Sequence, residues 1–127
     1  MIVLTSIFNT NDFLFIYNRN KRRIDKVLHT NQIEYINNDG KYFFTYNGKR
    51  FLILYVNYKK GIIPYTLVQN LKGKLSNFQE KTIGIICTRN KQSKNTKNEI
   101  KKYSKCKIAI CNSDTLWECI KKSSEIY

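Results

Sequence analysis

The side chains with the plainest chemical use are lysines. Between Arg89 and Lys107 lie 8 basic residues and a single acid, Glu99. At about 100° per helical residue, Lys94, Lys97, Lys101 and Lys105 fall in one narrow stripe, with Thr96, Ile100 and Tyr103 on another side. Such a stripe suits phosphates, because each lysine that neutralises one releases counterions. Lys59 and Lys60 add a second basic pair, and Lys72 a further lysine on the segment that follows. Lysines position a backbone and carry no base information, so sequence-specific readout is not indicated. The competing explanation is a solvated outer helix. Asn, Lys and Ile number 15, 18 and 17 of 127 residues, all coded by A/T-rich triplets, so lysine content alone decides little.

Other chemistries have less support. The cysteines Cys87, Cys106, Cys111 and Cys119 are spaced C-x18-C, C-x4-C and C-x7-C, with no CxxC and one distant histidine, His29. That is not a zinc pattern. Cys87 and Cys111 end apolar runs, where a free thiol behaves as a small hydrophobe. His29 closes a basic segment and reads as a helix-end residue. There is no GxSxG and no Gly-rich phosphate loop. Asp39 sits in Asn37-Asn38-Asp39-Gly40, a turn composition. From Asp39 to Glu80 the chain has no other acid, which leaves a two-carboxylate metal site without its second carboxylate.

The elements that must position these groups follow from periodicity. Residues 20–29 read as a short basic helix with Ile24, Val27 and Leu28 on one side, and Ile33 to Ile36 as a short strand. Tyr42–Tyr46 and Arg50–Asn57 are aromatic and β-branched, joined through Asn47-Gly48, the strongest short hairpin signal. Their many Tyr and Phe residues read as core and cross-strand pairs before they read as a base-stacking platform. Pro64 opens a helix carrying Val68, Leu71, Leu75 and Phe78. Thr82 to Cys87 is an apolar strand. Thr96 and Glu99 have capping-box spacing for a helix ending near Ser104. Lys107 to Cys111 is a strand, and Asn112 or Ser113 caps a last helix with Leu116, Trp117 and Ile120. From residue 41 the order is ββαβαβα, an α/β fold with a small mixed sheet flanked by helices.

The stretch from Asn47-Gly48-Lys49-Arg50 through Phe51-Leu52-Ile53-Leu54-Tyr55-Val56 to Tyr58-Lys59-Lys60 resembles the core hairpin of Mrr-type restriction endonuclease-like domains. Val68-Gln69-Asn70-Leu71-Lys72 resembles the helix that follows it there, and Ile83-Gly84-Ile85-Ile86-Cys87-Thr88 the next strand. The similarity spans about residues 38–122. It implies a restriction-endonuclease-like fold and a PD-(D/E)xK nuclease that uses Mg²⁺. Matched position by position, the family's Asp falls on Lys41, its Glu or Gln on Leu54 and its Lys on Val56. Leu and Val ligate nothing, and a lysine repels a cation. The nearest acid is Asp39, and Gln69, Lys72 or Lys74 are the residues that would have to supply a polar group from the next helix.

These readings converge on one expectation: a DNA-binding domain that grips the backbone non-specifically through Lys59, Lys60, Lys72, Lys94, Lys97, Lys101 and Lys105 and has lost cleavage. No cofactor is expected, with Mg²⁺ only in the alternative of a living endonuclease. The other alternative is a non-catalytic protein-interaction scaffold. The net charge of +14 favours a polyanion, and it is uneven: residues 41–127 carry 18 basic and 5 acidic side chains. No small-molecule substrate is indicated, and a homodimer or larger assembly is compatible. No apolar run reaches the ~20 residues of a membrane span. Met1 to Tyr17 is apolar but has no basic leader or cleavage site, so an intracellular protein with reduced thiols is expected. Residues 1–37 match the family poorly, and 123–127 are expected to fray.

Overall fold

The computed structural model describes residues 22–38, 40–58, 61–101 and 107–127. A helix covers residues 22–30 (α1). Three strands follow: Tyr35–Asn38 (β1), Lys41–Tyr46 (β2) and Lys49–Tyr55 (β3). Then come Ile62–Ile63 (β4), Tyr65–Ser76 (α2), Thr82–Cys87 (β5), Lys91–Gln92 (β6), Lys94–Lys101 (α3), Ile108–Cys111 (β7) and Leu116–Ile126 (α4). The main sheet has the order β1-β2-β3-β5-β7. β1, β2 and β3 form an antiparallel meander, and β5 and β7 extend it in parallel. The fold is therefore mixed α/β, with helices on both faces of a five-stranded mixed sheet among the described residues.

Two tight turns set the meander. Asn47 (φ 53) and Gly48 (φ 75) both adopt the left-handed region that a two-residue hairpin requires. Asn38 pairs with Lys41, so β1 and β2 are joined by two residues, of which Gly40 has φ 83. Asn37 and Asn38 thus end β1 and precede the turn. Asp39 lies outside the described residues.

Alternation in the central strands divides the core into two layers. Phe51, Ile53 and Tyr55 of β3 and Ile83, Ile85 and Cys87 of β5 face Ile24 and Leu28 of α1 and Leu116 and Ile120 of α4. Leu52, Leu54 and Val56 with Ile86 and Ile108 face Leu67, Val68, Leu71 and Leu75 of α2 and, at its margin, Ile100 of α3. A strand buried on both faces carries no polar alternation, which is why β3 and β5 read as continuous apolar runs. Gly84 lets α2 approach closely: a Cβ there would stand 2.9 Å from Leu75 Cδ1.

Several expectations need correction. β1 begins two residues later than the Ile33 start and runs to Asn38, and Ile33 instead packs in the core beside α1. Together with α1 it makes residues 22–37 part of the domain, so no structural boundary falls at residue 38. At the other end, α4 continues through Ile126, Ser123 and Ser124 are buried, and Tyr127 packs against the core. Thr96 does not cap α3, because the helix starts at Lys94 and Ser93 Oγ accepts the Thr96 N–H at 3.2 Å. Before α4, Asn112 Oδ1 accepts the N–H groups of Asp114 and Thr115 in a turn, and Thr115 occupies the cap position. No helix among the described residues is long and apolar enough to cross a membrane.

Candidate nucleic-acid interface

α3 sorts its side chains by charge. Thr96, fully buried, donates its hydroxyl to the Ile63 carbonyl of β4 at 2.6 Å. Glu99 also turns inward. Its carboxylate lies 3.7 Å from Lys72 Nζ of α2 and accepts from Gln69 Nε2 at 3.3 Å, while Lys72 Nζ also donates to the Glu99 carbonyl. The outward side carries Lys94, Asn95, Lys97, Asn98 and Lys101, all exposed. α2 has no acidic residue and exposes Tyr65, Thr66, Gln69 and Asn70 beside it. Tyr65, Gln69, Asn95, Asn98 and Glu99 line a groove of about 330 Å³ between the two helices. The outer face of α4 is different in kind, with Glu118 pairing with Lys121 at 3.1 Å and Glu125 exposed nearby.

Lys94, Lys97 and Lys101 therefore come together as the spacing predicts. Lys72 does not join them. Its ammonium is almost enclosed between α2 and α3, where it holds the one acid of α3. In sequence Lys72 is one more lysine after a helix start, and only the register of α2 against α3 reveals its partner. Lys59, Lys60 and Lys105 lie outside the described residues.

The positions matched to metal and base chemistry are structural where they are described. Leu54 and Val56 are each 1 % exposed and pack among Ile63, Leu67 and Leu71. Lys41 is the cross-strand partner of Leu54. Among the described residues no group of three or more His, Cys, Asp or Glu side chains could hold a metal ion. Cys87 and Cys111 are register partners on β5 and β7, with Cys119 of α4 against them. Contact with Cys111 and burial push the Cys119 thiol up, so the neutral form expected of a core thiol is favoured.

Two features have no clear sequence signal. The first is a cleft of about 450 Å³ at the carboxyl ends of β5 and β7, lined by Thr88, Arg89, Asn90, Asn112, Ser113 and Asp114 among others. Asn90 stiffens its rim: its side chain accepts the Tyr58 N–H at 2.6 Å and donates to the Tyr58 carbonyl at 3.2 Å and to Asn57 Oδ1 at 2.8 Å. The second is the Lys74 ammonium of α2, which burial first, and then the charge of Lys41, pull below its ordinary range. Compared with protein-family models, with curated proteins and with solved structures, the chain matches none.

Proposed function

We propose that this chain is a nucleic-acid-binding domain that holds DNA by its backbone through the outer face of α3 and does not cleave it. The observation that carries this reading is the sorting of charge on α3. Its one acid is neutralised inside the protein by Lys72, so the outward side of the helix presents lysines and amides alone. Phosphates are the partner such a surface fits, since flexible ammonium groups serve as point charges without a fixed geometry. A meander of three antiparallel strands continued by two parallel ones, with helices on both faces, supports the restriction-endonuclease-like form of the proposal. The aliphatic packing of Leu54 and Val56 supports its non-catalytic part, because these side chains complete the core under α2 and offer no ligand atom.

The experiment is fluorescence anisotropy of a labelled duplex at several salt concentrations with Mg²⁺ present, followed by a gel of the same DNA. Intact DNA and a steep fall of log K with log salt are expected, by about 0.9 for each phosphate neutralised. The triple charge reversal Lys94→Glu, Lys97→Glu and Lys101→Glu should lower affinity by more than tenfold, whereas Arg22→Gln with Arg23→Gln on α1 should leave most of it. Cleaved DNA would establish an active nuclease instead. Wild-type protein that ignores DNA at low salt leaves the scaffold alternative.

A further inference from the structure

We infer that the cleft at the carboxyl ends of β5 and β7 binds a phosphorylated sugar, with Arg89 taking the phosphate and Asp114 the hydroxyls. This goes beyond the α3 reading and uses none of its lysines. The cleft follows from the way the chain leaves two neighbouring strands. β5 and β7 are parallel, with Cys87 beside Cys111 in register, and the Thr88 N–H donates to the Cys111 carbonyl at 2.8 Å. Past that bond the two strands diverge. After β5 the chain turns to α3, whose Ile100 packs on the α2 side of the sheet. After β7 it turns to α4, whose Leu116 and Ile120 pack on the α1 side. Loops that leave adjacent parallel strands for opposite faces open a crevice, and open α/β sheets bind their ligands there. The crevice is present here at about 450 Å³, within the range of small-molecule sites.

The walls of the cleft are held by their own polar groups. Thr88 Oγ1 accepts the Asn90 N–H at 2.9 Å, and the Asn90 side chain is spent on Asn57 and Tyr58. Asn112 Oδ1 accepts the Asp114 and Thr115 N–H groups. Arg89 from the β5 wall and Ser113 and Asp114 from the β7 wall are left over. Their side chains line the cleft but make no hydrogen bond or ion pair with any described residue. A guanidinium and a carboxylate therefore share one cleft without closing on each other. A ligand that satisfies both carries an anion at one end and hydrogen-bond donors at the other. Guanidinium takes phosphate through paired N–H bonds, and an ionised carboxylate, which only accepts, takes hydroxyls or an ammonium. At a net charge of +14 the field of the chain opposes an ammonium, which leaves hydroxyls. Ile110 and Cys111 are the only apolar residues in the lining, so an aromatic base has little to stack on. These demands describe a sugar phosphate, either free or as the 5′-phosphorylated end of a nucleic-acid strand.

The test titrates ribose 5-phosphate, ribose and inorganic phosphate into the isotope-labelled full chain and follows backbone amides by NMR. Ribose 5-phosphate should move the amides of Arg89, Ser113 and Asp114 to saturation, and ribose alone should leave them in place. Arg89→Gln should weaken ribose 5-phosphate by about tenfold or more. Asp114→Ala should weaken it by about fivefold while inorganic phosphate binds as well or better, a split that a merely structural role would not produce. Both side chains are exposed, so the melting temperature should hold in each variant. DNA hairpins with and without a 5′-phosphate separate the two sources. A phosphorylated end that competes ribose 5-phosphate away, and loses this ability in Arg89→Gln, assigns the strand end, and failure to compete assigns the free ligand. Equal affinity for inorganic phosphate and ribose 5-phosphate, unchanged by Asp114→Ala, means an anion held by Arg89 alone and overturns the site. Amide shifts confined to the lysines of α3 overturn it as well. A chain that binds ribose 5-phosphate but ignores duplex keeps this site and removes the α3 reading. A chain that binds duplex but neither ribose 5-phosphate nor a phosphorylated end removes this site and keeps that reading.

Discussion

Glu99 shows how one residue sets what a surface can bind. Left outward, it would place a carboxylate within a turn of Lys97 and Lys101 and weaken any phosphate contact there. Turned inward, it meets Lys72, with about a tenth of each side chain exposed. Removing one member of such a pair leaves the other charge nearly buried, which costs several kcal/mol at full burial and less with residual solvent. Glu99→Ala should therefore lower stability by about 2–3 kcal/mol, seen as a lower denaturant midpoint at an unchanged slope. Two tyrosines give a pH signature of their own. Burial pushes Tyr58 up to about 12, and burial with the hydrogen bond to Asp25 pushes Tyr35 up to about 12. An exposed phenol loses its proton near 10. Between these values the folded state holds more protons than the unfolded one, so this contribution is intact below pH ~10 and is lost as pH rises through ~12. Tyr58→Phe should flatten the fall of melting temperature across that window and remove one late phenol from the ultraviolet titration.

At the scale of elements, what periodicity could reveal depended on what competed with it. Helix α2 and strands β3 and β5 have long apolar patterns, and each is found near its expected position. For α3 the Thr96–Glu99 spacing pointed to a start at Thr96. Tertiary demand overrode it: Ile63 takes the Thr96 hydroxyl and Lys72 takes Glu99, while Ser93 Oγ accepts the Thr96 N–H at the helix start. β4 and β6 are two residues each and pair in parallel, too short to carry any period. α1 ends within a residue of the expected His29, and its backbone shows how. Gln32 has φ 58, its N–H meets the His29 carbonyl at 3.0 Å, and the Ile33 N–H meets that of Leu28 at 2.9 Å. This is the helix ending for which glycine is the usual residue. Gln32→Gly relieves the left-handed strain of a residue with a Cβ. It should raise stability by up to about 1 kcal/mol, measured by denaturant unfolding.

For the whole molecule, the order ββαβαβα was readable for the main sheet and its helices, though not for β4 and β6, because helices and apolar strands alternate, and the lysine stripe because charge on α3 has helical spacing. The seat of Lys72 was not, since 27 positions separate it from Glu99 and only the packing of α2 on α3 brings the two together. Net charge connects the proposed surface to stability in a way that separates it from simple composition. A chain at +14 repels itself, and added salt screens this repulsion. Raising salt from about 0.02 to 0.2 M should therefore raise the melting temperature of the free protein. The same change should weaken duplex binding, because counterion release loses its advantage. Duplex should in turn stabilise the fold by mass action, by about 2.7 kcal/mol at a hundredfold excess over Kd, and this increment should shrink as salt rises. Opposite responses of the free and bound protein distinguish a phosphate-binding surface from a merely lysine-rich one. If composition alone set the charge, salt would raise both melting temperatures in parallel and duplex would add nothing at either concentration.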